Sequence, residues 1–307
     1  MANSTPNPIV EFGRTIRLSH SFFAMPFALG TALLADPPCP NALSLLLLVA
    51  CMVAARTAGM GLNRVVDAAI DARNPRTSDR AIPAGRLARR TAFGLTLSSG
   101  AAFIGLAWLF LPLRGSVWPG LLAPAFLAAL FAYSYAKRFT ALTHWLLGLC
   151  LGLAPVGVWI ALRGSLDLEP VLIGAAVLLW TGGFDVLYAF QDVVVDRREG
   201  LHSAPAQWGE RPARWVAALS HAGMIGLLAA VPFVAARDPA IHRLGFISMA
   251  ALPAILLALV YLHLKARRAR PDEIAAAFFP VNAFVSIIWL VGVILDMAGA
   301  GDWLRIL

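Results

Sequence analysis

An all-α integral membrane protein of nine transmembrane helices, with its N-terminus cytoplasmic, is the fold that this sequence predicts, and three observations predict it. The chain of 307 residues is 59% hydrophobic and only 14% charged, with a mean hydropathy of +0.74, values typical of a chain solvated by lipid. Its apolar residues gather in runs of about 17–25, the length a helix needs to cross a bilayer. Its basic residues are divided unevenly among the connections between those runs.

In hydrocarbon each run must satisfy its own backbone N–H and C=O groups, which a helix does and an isolated strand does not. The alternation and aromatic girdles of a membrane barrel are absent. The nine runs cover about 18–35, 42–62, 92–112, 118–136, 142–162, 170–190, 214–236, 245–264 and 275–297. The first lacks a preceding basic stretch and a small-residue cleavage site, so it reads as a retained helix and not as a signal peptide.

With the N-terminus inside, 19 of the 25 Lys and Arg residues fall on the inner side. They are Arg14 and Arg17, seven arginines from Arg64 to Arg90, Lys137 and Arg138, four arginines from Arg197 to Arg214, and four basic residues from Lys265 to Arg270. Arg114, Arg163, Arg237, Arg243 and Arg305 fall outside, and Arg56 lies within a run. This is the positive-inside pattern, so the net charge of +8 reports orientation in a cell's inner (plasma) membrane, with no nucleic-acid partner. Cys39, Cys51 and Cys150 are far apart and without CxxC spacing, so they read as packing residues.

The chain reads as one domain over 1–307. Its inner connections at about 64–90 and 193–214 are long and rich in charge, Pro and Gly, and the outer ones are short. Function is therefore expected at the cytoplasmic mouth, under these two loops.

Two acid ladders stand beside the loops. On a helix, Asn63, Asp67 and Asp71 share one face and climb about 12 Å. Asp185, Asp192 and Asp196, spaced by seven and four, form a second stripe with Tyr188 beside it. Asp67 and Asp192 lie 125 residues apart, as do Asp71 and Asp196, with four runs in each period. That echo predicts two pseudo-repeated four-helix halves around a central cavity; a duplicated structural helix with solvated ends is the plain alternative.

Like-charged acids at this spacing repel unless cations sit between them. All-oxygen ligands without nearby His or Cys favour Mg²⁺ or Mn²⁺, and Mg²⁺ is usually completed by waters and substrate phosphates. The ladders thus describe a pyrophosphate clamp. Asp67 and Asp71 would hold one Mg²⁺, with Asn63 as a neutral ligand or orienter, and Asp192 and Asp196 a second. Arg64, Arg73, Arg80, Lys137, Arg138 and Arg197 are candidates for phosphate contact, with a topology determinant at the headgroups as the alternative for each, and Lys137 and Arg138 stand out as an isolated pair between two apolar helices.

The segments "NRVVDAAID" and "DVLYAFQDVVVD" resemble the NxxxDxxxD and DxxYxxxDxxxD signatures of the UbiA superfamily of intramembrane prenyltransferases. The likeness extends to "YSYAKRFT" after the fourth run and covers nearly the whole chain. It implies a polyprenyl diphosphate donor, Mg²⁺ dependence and an aromatic acid acceptor alkylated at a ring carbon, all within the bilayer. An allylic cation formed in such a reaction needs a dry pocket with aromatic faces. Phe22, Phe23, Phe27, Phe184 and Phe190 are available for that role. Asp185 is then a candidate for the base that takes the ring proton, or for holding the acceptor hydroxyl; a helix–helix hydrogen bond is its alternative role. Tyr188 could hold phosphate or acceptor, His20 could hold acceptor, and His202 reads as a structural residue of the loop.

The stretches "SHSFFAMPFA", "NPRTSDRAIPAGR" and "YAFQDVVVDRREGLHSAPAQWG" look closest to the branch associated with futalosine-route menaquinone synthesis, whose acceptor is a dihydroxynaphthoate. The 4-hydroxybenzoate polyprenyltransferases of ubiquinone synthesis are the neighbouring possibility. A secondary transporter is the rival from another class, since repeats and intramembrane acids are also transporter traits. Transporter sites lie at the midplane in broken helices, whereas these acids cluster at cytoplasmic helix ends beside arginines.

Overall fold

The computed structural model describes residues 7–16, 24–36, 39–238, 241, 244–268 and 271–299, and among them every regular element is a helix. Among the described residues eight helices are long and apolar enough to cross a membrane, so the chain is a multi-pass membrane protein. A short helix, α1 (Pro8–Ile16), precedes them, followed by α2 (Met25–Ala35). Eleven-residue α2 is the described part of the expected first span; the rest of that run, with His20, Phe22 and Phe23, lies outside the described residues.

The spanning helices are α3 (Ala42–Arg73), α4 (Arg89–Trp108) continued by α5 (Phe110–Arg114), α6 (Trp118–Ala136), α7 (Thr143–Arg163), α8 (Leu168–Ala189), α11 (Glu210–Ala235), α12 (Phe246–Arg268) and α13 (Pro271–Met297). Two short helices, α9 (Val193–Arg198) and α10 (Ala204–Trp208), lie between α8 and α11.

Two expected boundaries change. The second run was expected to end near 62 with a loop from 64, but α3 continues unbroken to Arg73, 32 residues in all. At about 1.5 Å per residue that helix is some 48 Å long, well beyond the hydrocarbon core of about 30 Å. The "VVDAAIDAR" segment holds three β-branched residues but no Gly or Pro, so nothing in it stops the helix. The ladder of Asn63, Asp67 and Asp71 is thus helical throughout.

The second ladder is not one continuous helical stripe. Helix α8 ends at Ala189, and the amides of Gln191 and Asp192 bond back to the carbonyls of Tyr188 and Ala189 at 3.3 and 3.0 Å, an i→i−3 tightening typical of a helix end. Helix α9 then restarts with Asp192 at its N-cap position. Asp185, Asp192 and Asp196 therefore lie on either side of a turn, unlike their counterparts on α3.

Helices α7 and α8 approach backbone to backbone. A Cβ at Gly148 would overlap the Leu178 carbonyl, and one at Gly152 the Gly174 carbonyl. Small residues four apart permit the close crossing that membrane helices use in place of a hydrophobic driving force. His144 lies one turn before Gly148 on the same face of α7.

Candidate active site

Asp67 and Asp71 are both buried near the end of α3. Lys137, at the end of α6, places Nζ 2.6 Å from Asp67 Oδ2. Arg138 donates from Nη2 to Asp67 Oδ1 at 3.1 Å and to the Val66 carbonyl at 3.2 Å. The isolated basic pair between two apolar helices thus grips the first acid of the ladder. Arg80, in the first cap loop, places Nη1 2.7 and 2.6 Å from the two oxygens of Asp71.

The first cap loop also reaches the second motif. Asn74 Nδ2 donates to Asp192 Oδ1 at 3.0 Å, and Arg76 donates to the same oxygen from Nε at 3.0 Å and to Oδ2 from Nη2. Arg76 also lies over the Tyr188 ring, 5.7 Å from its centre. Burial works against its charge, yet the hydrogen bonds and field of Asp192 hold the Arg76 guanidinium above its ordinary pKa. Arg76 and Asn74 were not among the sequence candidates; the only signal was their place in a loop facing both ladders.

Asp196, in α9, makes no ion pair among the described residues. Its carboxyl is raised from its ordinary value, first by burial and then by the neighbouring charge of Asp192, against the pull of Lys137. The other candidates have different partners. Arg73 pairs with Glu199 at 2.6 Å, and that hydrogen bond holds the Glu199 carboxyl below its ordinary value. Arg197 Nε donates to the Ala206 carbonyl at 3.3 Å. Arg64 Nε donates to the Thr15 carbonyl of α1, and Nη1 to Asn63 Oδ1, both at 3.4 Å.

Deeper along α8, Asp185 Oδ2 lies 2.7 Å from His144 Nδ1 on α7. Seven residues before Asn63 on α3, and so on the same face about 10 Å further into the membrane, Arg56 has a buried Nε without a hydrogen-bond partner among the described residues. Neither was a sequence candidate: His144 drew no reading, and Arg56 was placed only as lying within an apolar run.

An aromatic wall runs inward from the acids. Tyr188 packs on Phe278 at 4.7 Å, Phe278 on Phe184 at 5.0 Å, Phe184 on Trp180 at 5.1 Å, and Phe27 on Trp180 and Trp289 at 5.1 and 4.8 Å. Phe27 and Phe184 therefore belong to it. Phe190 does not, since its ring lies under Arg214, 4.5 Å away.

Among the described residues no three His, Cys, Asp or Glu side chains form a metal cage. The donor chemistry of Asp67, Asp71, Asp192, Asp196 and Asn63 still suits a hard cation, because every donor is oxygen. Mg²⁺ is commonly held by one or two carboxylates with substrate phosphates supplying the rest. The basic partners of these acids are themselves phosphate ligands by type, so a metal diphosphate could take both sets at once.

Residues 23–288 match the model of the UbiA prenyltransferase family. The 4-hydroxybenzoate octaprenyltransferase of Azotobacter vinelandii is 30% identical over 258 residues, covering 84% of this chain and 82% of that protein. Among solved structures, the apo form of a UbiA homologue from Aeropyrum pernix matches with a TM-score of 0.78 at 31% identity, over 92% of this chain and 99% of that one. A UbiA homologue from Archaeoglobus fulgidus bound to DMAPP and Mg²⁺ matches in fold with a TM-score of 0.66 at 15% identity, over 92% of this chain and 99% of that one.

Proposed function

The chain belongs to the UbiA prenyltransferase family and is an enzyme that transfers prenyl groups; from that premise we propose that it moves a polyprenyl group from its diphosphate to a ring carbon of an aromatic acid. The observation that carries the proposal is the facing of two acid motifs across the cap. Asp67 and Asp71 come from one motif and Asp192 from the other, each already gripped by a basic side chain.

Asp67, Asp71, Asp192 and Asp196, with Asn63, would hold Mg²⁺, two ions being the expected number. Bound there, Mg²⁺ supplies charge neutralisation for the leaving pyrophosphate. Lys137, Arg138, Arg80 and Arg76 swing from carboxylate to phosphate oxygens as the diphosphate arrives, each keeping a counter-charge. The allylic C–O bond then breaks, its electron pair leaving with pyrophosphate. The allylic carbon faces the dry wall of Tyr188, Phe278, Phe184 and Trp180, which shields it from water and offers π faces to its charge. The acceptor's electron-rich ring carbon forms the new C–C bond, and its proton leaves to a base, for which Asp185 is placed. Arg56, with its unsatisfied Nε, suits the acceptor's carboxylate. On this reading the active site opens to the cytoplasm beneath its cap.

Two acceptors divide the support. The relative from Azotobacter vinelandii favours 4-hydroxybenzoate, the ubiquinone-type acceptor. The stretches "SHSFFAMPFA", "NPRTSDRAIPAGR" and "YAFQDVVVDRREGLHSAPAQWG" favour a dihydroxynaphthoate, the menaquinone-type acceptor. Purified protein with Mg²⁺, a polyprenyl diphosphate and both acceptors side by side is expected to release pyrophosphate and yield a C-prenylated aromatic from one of them. Turnover with neither, or undiminished turnover in Asp67→Ala or Asp192→Ala, would overturn the proposal.

A further inference from the structure

Buried at the start of α7, His144 has both ring nitrogens engaged, and the two partners fix which one bears the proton. The backbone N–H of Ala204, the first residue of α10, donates to His144 Nε2 at 3.1 Å. An amide N–H can only donate, so Nε2 carries the lone pair and the neutral ring carries its hydrogen on Nδ1. Nδ1–H therefore donates to Asp185 Oδ2, 2.7 Å away. Asp185 is thereby an accepting carboxylate held by one oxygen, and its other oxygen makes no hydrogen bond among the described residues.

The surroundings make this a mechanical link as well as a hydrogen bond. His144 is only 4% exposed at the side chain, while Asp185 is 26% exposed. The imidazole is thus locked and the carboxylate is open. The Gly148 and Gly152 contacts bring α7 against α8 and set the distance between the two side chains. On the far side of the ring, the cap segment is held twice: at Ala204 by His144, and at His202, whose N–H donates to the Lys137 carbonyl at 2.7 Å. Lys137 in turn grips Asp67. One imidazole therefore joins the cap over the diphosphate site to the carboxylate at the acceptor site.

We propose that His144 is a positioning residue that sets the rotamer of Asp185 and presents its free oxygen to the acceptor's phenolic hydroxyl. The inference rests on the reading of Asp185 as an acceptor-facing group. It predicts an effect on one substrate only, because His144 touches none of the residues assigned to the diphosphate.

The test is steady-state kinetics of the purified full chain with each substrate varied in turn, on H144A, H144N, H144Q, D185N and the double variant H144A/D185N. Asn can supply a donor near the position of Nδ1, and Gln an acceptor near that of Nε2 but no donor to Asp185. We expect H144A and H144Q to lose about ten- to a hundred-fold in kcat/KM for the aromatic acceptor, the scale of a misplaced reacting group. The KM for the prenyl diphosphate should stay within about twofold, a change too small to count as lost binding. H144N should recover most of the loss, and the double variant should be no slower than D185N, since coupled residues are non-additive. Losses in H144A and D185N that simply multiply, an equal rise in prenyl diphosphate KM, or an H144N no better than H144Q would overturn the proposal. So would an H144A defect alongside an unaffected D185N, which would also remove Asp185 from the acceptor site. A D185N defect with an unaffected H144A would overturn the role of His144 alone. Thermal unfolding in detergent confirms that each variant is folded, and H144N against H144Q carries the comparison if H144A is not.

Discussion

Asp192 shares its two oxygens between Asn74 and Arg76, and Arg76 also covers the Tyr188 ring. On the proposed reading, a guanidinium with those three neighbours meets the diphosphate at the second motif. Arg76→Gln is therefore expected to raise the KM for the prenyl diphosphate about tenfold and to leave the acceptor KM unchanged. That figure corresponds to one lost charge-assisted contact. Arg73→Gln is the control, because Arg73 is spent on Glu199 and is 54% exposed; its effect should stay below about twofold, as for most exposed pairs. Parallel kinetics on the two variants check both. The acids themselves were legible because a carboxylate beside an apolar run is costly and is kept for a purpose. Which arginine reaches them was not, since only two residues separate Arg73 from Arg76 and the path of the loop sends them to different acids. Arg56 was hidden differently: position alone told that it lay in a span, and only the fold left its Nε unpaired on the ladder's face.

Among the elements, α7 and α8 show how packing governs the site. Their closest approach rests on Gly148 and Gly152 against backbone carbonyls of α8, where no side chain fits. Gly152→Leu would force the helices apart, moving His144 from Asp185 and Trp145 from Ser220, to which its indole donates at 3.1 Å. The expected result is a drop of several degrees in the unfolding temperature and loss of turnover, the overpacking cost being about 1–3 kcal/mol. Gly157→Leu on the same helix is the control, since a Cβ there meets nothing within 4 Å. Thermal melts of the two variants in detergent decide the matter. Element positions were legible from apolar runs alone, within a few residues for α6, α7 and α8, because membrane helices announce themselves by length. Their ends were not. Helix α3 ran on to Arg73 because the hydropathy falls before helix propensity does, and α8 broke at Ala189 although no Gly or Pro marks the place.

At the scale of the whole molecule, the two cap loops lock to each other as well as to the helices. Arg73 pairs with Glu199, Arg198 donates to the Arg73 carbonyl at 2.8 Å, and Asn74 and Arg76 hold Asp192. Asp67, Asp71 and Asp192 each have a cation of the chain's own beside them. Among the described residues only Asp196 of the four lacks such a partner, so withdrawing a metal ion should leave little acid repulsion to unfold the chain. This separates the protein from domains whose structural metal supplies folding free energy, which unfold on chelation. A chelator should accordingly abolish prenyl transfer while leaving the unfolding temperature within about a degree, because the ion pairs close over the site. Mg²⁺ with a non-hydrolysable prenyl diphosphate analogue should raise that temperature in proportion to the logarithm of ligand concentration, since both bind the folded state alone. Mg²⁺ by itself should raise it far less, because it must displace Lys137, Arg138, Arg80 and Arg76 with no phosphate to receive them. Thermal melts across the four conditions check the argument, and a chelator-induced fall of several degrees would show that the acids lean on the metal and not on each other's arginines.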